Sequence, residues 1–214
     1  IDFKLLGFGY DSTNATIDKL FKWFPYNKGG EYKKWYGNLD SVINWWNDGF
    51  DIRQDKLDKL EKGLCLPGNA KPNNTQYYFR EAITWSFVSS GSFAARYTPQ
   101  GSIFDIAGSS AFPKKEQIFY ITAFLMSKIT FNMLKILAPT INFQVGDLKA
   151  LPIIFPQQQS TKQQIDTLTQ DCIDISKEDW DSRETSWDFT KNELLKYKSD
   201  SKLETAYNNY CQVW

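Results

Sequence analysis

Three features of the sequence predict an α+β fold: a β-rich unit of mixed and antiparallel strands, a long bracing helix, and a helical extension after it. Aromatic and β-branched runs, separated by Gly, Asn, Asp and Pro, dominate the first half of the chain. From residue 115 to 138 apolar side chains instead recur every three or four positions. Beyond Pro156 the chain turns polar and acidic, and helical spacing returns.

The elements follow in order. Residues 32–36, 42–46, 77–88 and 93–97 read as strands, and 102–107 continues the pattern. Residues 51–62 read as a helix, with Ile52, Leu57 and Leu60 on one face and Gly63 as its C-cap. The spacing of Ile118, Ile121, Leu125, Ile129, Met133 and Ile136 predicts one long helix, ended by Pro139. Phe119, Phe124, Met126 and Leu134 add apolar surface around it, which predicts burial on several sides. Residues 143–155 give a short element, a turn and the strand-like Leu151-Pro152-Ile153-Ile154-Phe155. In the tail, Ile165, Leu168, Cys172 and Ile175 space as one amphipathic face. Leu194, Leu195, Leu203, Ala206 and Tyr207 predict one or two further helices.

The break falls at Pro156-Gln157-Gln158-Gln159-Ser160, a proline stop meeting a polar helix start. It divides the chain into a unit of residues 1–157 and an extension of residues 158–214. The first carries 18 basic and 14 acidic side chains and the second 7 and 11, so a net charge of zero hides opposite halves.

Composition narrows the function classes. The chain has 214 residues and no histidine, which excludes Ser-His-Asp and Cys-His catalysis, histidine metal sites and histidine pH switching within it. Cys65, Cys172 and Cys211 form no CxxC pair, which argues against a thiolate zinc site; an odd count without a disulfide pattern predicts a reducing, cytoplasmic setting. No apolar run approaches the roughly 18 residues of a membrane span. The chain opens on Ile1 and shows no signal peptide, and is expected to be a piece of a longer protein.

Three local features invite chemistry. Gly7-Phe8-Gly9 superficially resembles a nucleotide or S-adenosylmethionine loop, but only one residue separates the glycines and Asp11-Ser12-Thr13-Asn14 follows as a cap, so a structural turn is expected. Asp179, Asp181, Glu184 and Asp188 cluster as magnesium ligands do, yet Trp, Ser, Thr and Arg interleave them, which fits helix caps and docking of two tryptophans. Lys33-Lys34-Trp35-Tyr36, with Lys22-Trp23, Arg53, Arg80 and Arg96-Tyr97, mixes cations with flat side chains, as DNA-contacting surfaces do. Charge alone does not separate that reading from a solvated face over buried aromatics.

Longer stretches carry more information. They are Trp35-Tyr36-Gly37-Asn38 with Asn44-Trp45-Trp46-Asn47-Asp48-Gly49, then Tyr78-Phe79-Arg80-Glu81-Ala82-Ile83-Thr84-Trp85-Ser86 with Arg96-Tyr97-Thr98-Pro99, and Ala138-Pro139-Thr140-Ile141-Asn142-Phe143-Gln144-Val145-Gly146-Asp147-Leu148. Asp179-Trp180-Asp181-Ser182 and Glu184-Thr185-Ser186-Trp187-Asp188-Phe189 follow in the tail. Together they resemble the PglX family of BREX phage-defence systems, adenine-specific DNA methyltransferases related to type IIG restriction-modification enzymes. The resemblance spans nearly the whole chain in the expected order.

The resemblance implies methyl transfer from S-adenosylmethionine to adenine N6 by the parent enzyme. An Asn-Pro-Pro-Tyr-type motif would grip the flipped base, but no two prolines are adjacent here. The catalytic domain is therefore expected elsewhere in the parent chain, with no cofactor held in this piece. What remains matches the target recognition region, whose partners are double-stranded DNA and that catalytic domain. Polar and cationic residues near predicted strand ends are the expected DNA contacts: Lys33, Lys34, Tyr36, Arg80, Ser89, Ser90, Arg96 and Tyr97. Trp85 fits either a wedge or a core anchor. The alternative function is a protein-interaction module docking on other defence-system subunits; a self-contained enzyme is the poorest fit.

Overall fold

The computed structural model describes residues 2–89 and 92–212. Two three-stranded sheets form its β-rich part. In the first, β1 (Trp23–Asn27) lies between antiparallel β2 (Ser41–Asn44) and parallel β5 (Ile103–Phe104). In the second, β3 (Ala82–Trp85) pairs antiparallel with both β4 (Ala95–Thr98) and β6 (Ser110–Ala111). The expected α+β class is what the chain adopts.

Alternation along β3 gives its two faces different surroundings. Ile83 and Trp85 turn toward α2 (Ile118–Met126) and α3 (Lys128–Leu137), forming a core with Phe93, Ile118, Leu125, Leu134 and Phe143. The Trp85 indole donates to the Phe143 carbonyl at 2.9 Å, which anchors the segment after α3. Trp85 is thus a core anchor, and its one polar atom is satisfied. Thr84 takes the other face of the pleat, where its hydroxyl meets that of Thr98 at 2.9 Å. Arg96 and Thr98 on β4 are buried with it, as is Asn27 at the end of β1. The first sheet has its own core of Phe24, Trp45, Tyr78, Phe79 and Ile103.

Several expected elements are rebuilt. Residues 32–36 supply only a bridge, Trp35 to Arg96, because Trp35 adopts a positive φ of 65° that ends the extended run. The 77–88 run contributes strand only at β3, since Phe79, also at φ 65°, breaks it. Helix α1 (Trp46–Glu61) starts earlier than spacing predicts, through a left-handed turn at Asn47, Asp48 and Gly49. Gly63 caps its end at φ 67°, as expected.

The single long helix over 115–138 is a correction. A 3₁₀ turn (Lys115–Gln117) leads into α2, and the chain then breaks at Ser127 before α3. Ser127 is extended (ψ 152°), and its hydroxyl accepts the Thr130 amide at 3.1 Å. Thr130 returns a hydroxyl bond to the Phe124 carbonyl at 2.6 Å, so the break satisfies its own polar groups. Leu151-Pro152-Ile153-Ile154-Phe155 forms no strand; α4 (Val145–Lys149) precedes it, closed by a Gln144–Asp147 capping box.

The tail is helical: α5 (Gln159–Asp181), a 3₁₀ turn (Glu193–Leu195) and α6 (Leu203–Cys211). Its buried face differs from the expected one. Thr169, Ile173 and Trp180 are buried, whereas Leu168 and Ile175 are each 57% exposed. Helix α5 packs on α2, and Ile173 and Trp180 close a third core with Tyr36 and Leu39. Among the described residues no helix is long and apolar enough to cross a membrane.

Candidate nucleic-acid interface

The carboxyl end of β3 gathers three segments. The chain leaving β1 passes through Lys28, Gly29 and Gly30 and lies against residues 105–109, the loop joining β5 to β6. A Cβ on Gly29 would sit 2.4 Å from the Ala107 carbonyl oxygen, and one on Gly108 2.3 Å from that of Asn27. Only glycines permit this approach, and Gly29 also uses a φ of 78°. The third segment is the end of β3, where the Phe87 amide donates to the Ala107 carbonyl at 2.9 Å.

Arg96 stands behind this cluster, 1% exposed. It lies inside the fold rather than on the surface where its strand-end position predicted it. Its guanidinium donates to the Ser86 hydroxyl at 3.3 Å, and Ser86 donates onward to the Gly30 carbonyl at 2.9 Å. Its Nε has no hydrogen-bond partner, and no carboxylate lies within ion-pair distance among the described residues. Burial without a counter-charge lowers its pKa to about 10. At neutral pH a positive charge is therefore held beneath the Gly29–Gly30 turn.

The surface of the cluster carries Lys28, Lys33 and Lys34 within seven residues, against one acid, Glu31. Lys28 and Lys34 are exposed and Lys33 is half-buried; none has an ion pair among the described residues. Lys28 and Lys33 line a cleft of about 550 Å³ with Asn38, Asp40, Trp180 and Arg183. Arg183 is already bound to Asp179 at 2.9 Å, so the lysines are the cations it leaves open.

Other expected contacts fall elsewhere. Tyr36 is buried under the Lys177 ammonium, 5.5 Å from its ring centre, and burial pushes its phenol up to about 12. Tyr97 is half-buried and donates to the Glu81 carboxylate; burial first and that bond second raise its pKa. Tyr36 is thus buried and the Tyr97 hydroxyl is bonded within the fold, rather than both standing free at the surface. The Ser89 hydroxyl donates to the Ser92 carbonyl at 2.8 Å, and its amide to Ile141 at 3.0 Å. Ser90 lies outside the described residues.

Arg80 marks the opposite end of β3. It lies seven positions before Phe87, two residues ahead of β3. It is exposed and lies 5.5 and 5.9 Å from the ring centres of Tyr77 and Phe112, which stack 4.9 Å apart. The positive φ of Phe79, held by bonds from its amide to Ser102 and from the Gly101 amide to its carbonyl, sets the direction in which Arg80 leaves the chain. Such a cation over two flat rings suits a nucleic acid, but it sits apart from the lysine cluster. Sequence spacing missed Lys28 and the 105–109 loop. Gly29-Gly30 was the available signal, a turn dipeptide beside a cation.

The remaining motifs have structural occupations. Gly7-Phe8-Gly9 follows a 3₁₀ turn (Phe3–Leu5), and only another 3₁₀ turn (Asn14–Thr16) comes after it. No helix N-terminus faces it, so this segment does not build the strand–turn–helix geometry that cradles a nucleotide-type cofactor. Phe8 packs edge-on against Trp187 at 5.7 Å. In the acidic run Asp179 binds Arg183, and Asp181 and Asp188 both bind Lys177. Among the described residues no cluster of acids and cysteines could hold a metal ion.

No protein-family model matches the chain. Over 185 residues, 86% of its length, it is 44% identical to the adenine-specific methyltransferase PglX of Lacticaseibacillus casei (strain Zhang). Over 193 residues, 89% of its length, it is 36% identical to the adenine-specific methyltransferase BrxX of Escherichia coli O9:H4 (strain HS). The chain spans only 15% and 14% of the lengths of these two relatives.

Proposed function

The chain is homologous to one segment of the PglX and BrxX adenine-specific methyltransferases, and from that premise we propose that it is the target recognition segment of such an enzyme. It binds duplex DNA and selects the site, while methyl transfer from S-adenosylmethionine is carried out by another part of the parent chain. The observation that supports this reading best is that Lys28 and Lys33 line one cleft, with Lys34 exposed next in the chain and the buried Arg96 charge tied to the Gly30 carbonyl through Ser86.

The physical roles follow from position. Three unpaired ammonium groups neutralise phosphates and set the register on the duplex, without discriminating bases. The buried Arg96 holds the Gly30 carbonyl through Ser86, which keeps the lysine-bearing turn in place before DNA arrives. Loops fixed in this way contact base edges without a large ordering cost. Arg80 on its aromatic platform supplies a second contact, at the other end of β3.

Counterion release gives the test. The expected slope of log affinity against log salt for DNA binding by the full-length enzyme becomes shallower by up to about 2.7 when Lys28, Lys33 and Lys34 are changed to Ala, at roughly 0.9 per phosphate contact. An unchanged slope contradicts the reading. A second reading, a protein-docking module, draws on the exposed Ile129 and Ile136 of α3, 63% and 81% accessible. Binding through that face has little salt dependence, so the same titration separates the two.

A further inference from the structure

The 105–109 loop is held by a dense set of hydrogen bonds. One oxygen of Asp105 accepts the Ala107 and Gly108 amides at 2.8 and 3.1 Å, and the other accepts the Tyr26 hydroxyl at 2.5 Å. Ser109 donates its hydroxyl to the Ile106 carbonyl at 2.8 Å, and Ser110 donates to Gly108 at 3.0 Å. The Phe87 and Trp85 amides bind the Ala107 and Ser109 carbonyls, both at 2.9 Å. Gly29 and Gly108 let the backbones press together from the other side. At the tip of this frame Ile106 is 73% exposed.

A single exposed isoleucine is ordinary on a protein surface. What sets Ile106 apart is that the peptide unit after it is hydrogen-bonded at both its carbonyl and its amide, in a loop packed on the Gly29 turn that follows the exposed Lys28. An apolar group held at a fixed point next to phosphate-binding cations has one good match on a base edge. In the major groove every polar edge atom would be desolvated by contact with it, and the thymine C5-methyl is the only apolar group presented there.

We propose that Ile106 is a specificity-determining residue that contacts a thymine methyl in the recognised site. This rests on the DNA-recognition reading above and deepens it. The lysines fix where the duplex lies, and the rigid loop brings the Ile106 side chain to one base pair. Burying one methyl against it corresponds to about a fourfold preference for thymine over uracil.

The experiment uses the full-length enzyme and duplexes carrying its methylated sequence, with each thymine in turn replaced by uracil, which removes only the methyl. The expected result is one position where the replacement slows methylation by wild type about fourfold, while Ile106→Ala methylates the thymine and uracil duplexes equally. Ile106→Val, which keeps a branched apolar group, retains part of the preference. The proposal is overturned if no position shows a methyl dependence, or if that dependence survives undiminished in Ile106→Ala. Failure of the DNA reading itself is seen separately, in an unchanged salt slope for the three lysine variants.

Discussion

Arg96 is the residue whose energetics are most unusual. A guanidinium 1% exposed, with one side-chain hydrogen bond and no carboxylate, carries a desolvation cost that its surroundings only partly offset. Its contribution is positional: through Ser86 it holds the Gly30 carbonyl, and hence the turn that carries Lys28. Arg96→Met keeps most of the packing and removes the buried charge, so the expected change in unfolding free energy is under about 1 kcal/mol. Arg96→Ala leaves a cavity as well and is expected to cost about 3 kcal/mol. Urea denaturation of the two variants checks the contrast. Equal, large losses would mean that the charge itself stabilises the fold.

Between elements, the tightest joint is the one that builds the candidate interface. Gly108→Ala would push a methyl to 2.3 Å from the Asn27 carbonyl oxygen and 2.6 Å from its side-chain oxygen, and the nearer of the two is backbone that cannot swing away. A loss of about 2 kcal/mol or more is expected, as for overpacking elsewhere, and it is read from the urea midpoint. A variant as stable as wild type would show that the joint is loose. This joint was hidden in the sequence because it forms between residues 27–30 and 105–109, which no local pattern connects. Helix positions were more legible, since apolar spacing marks them, but their limits and faces were not. Ser127 interrupts an apolar run by a single residue, and its role as a cap depends on Thr130 and Phe124. On α5 the expected Leu168 face lost to one containing Thr169, whose hydroxyl is satisfied by the Ile165 carbonyl at 2.8 Å. Trp180, too large to leave in water, fixes that choice from the far end of the helix.

At the scale of the whole molecule, two three-stranded sheets each have their own hydrophobic core, with helices covering one face of the second. The arrangement leaves one end of β3 to loops that are hydrogen-bonded and packed in place while Lys28 and Ile106 stay exposed on them, as a reader of base sequence requires. The candidate site was partly legible beforehand: Lys34 and Arg80 are exposed and Lys33 half-buried, while Tyr36 and Arg96 lie buried. Depth is decided by strand pairing across distant segments, and a single sequence does not display it. The proposed division of labour, selection here and methyl transfer elsewhere in the parent chain, is tested most directly by sequencing methylated adenines in cells that carry the full-length enzyme. Residues 28–110 are exchanged for those of a relative that marks a different sequence. The account predicts that the methylated motif moves to that of the donor. Methylation at the original positions, undiminished after the exchange, would contradict it.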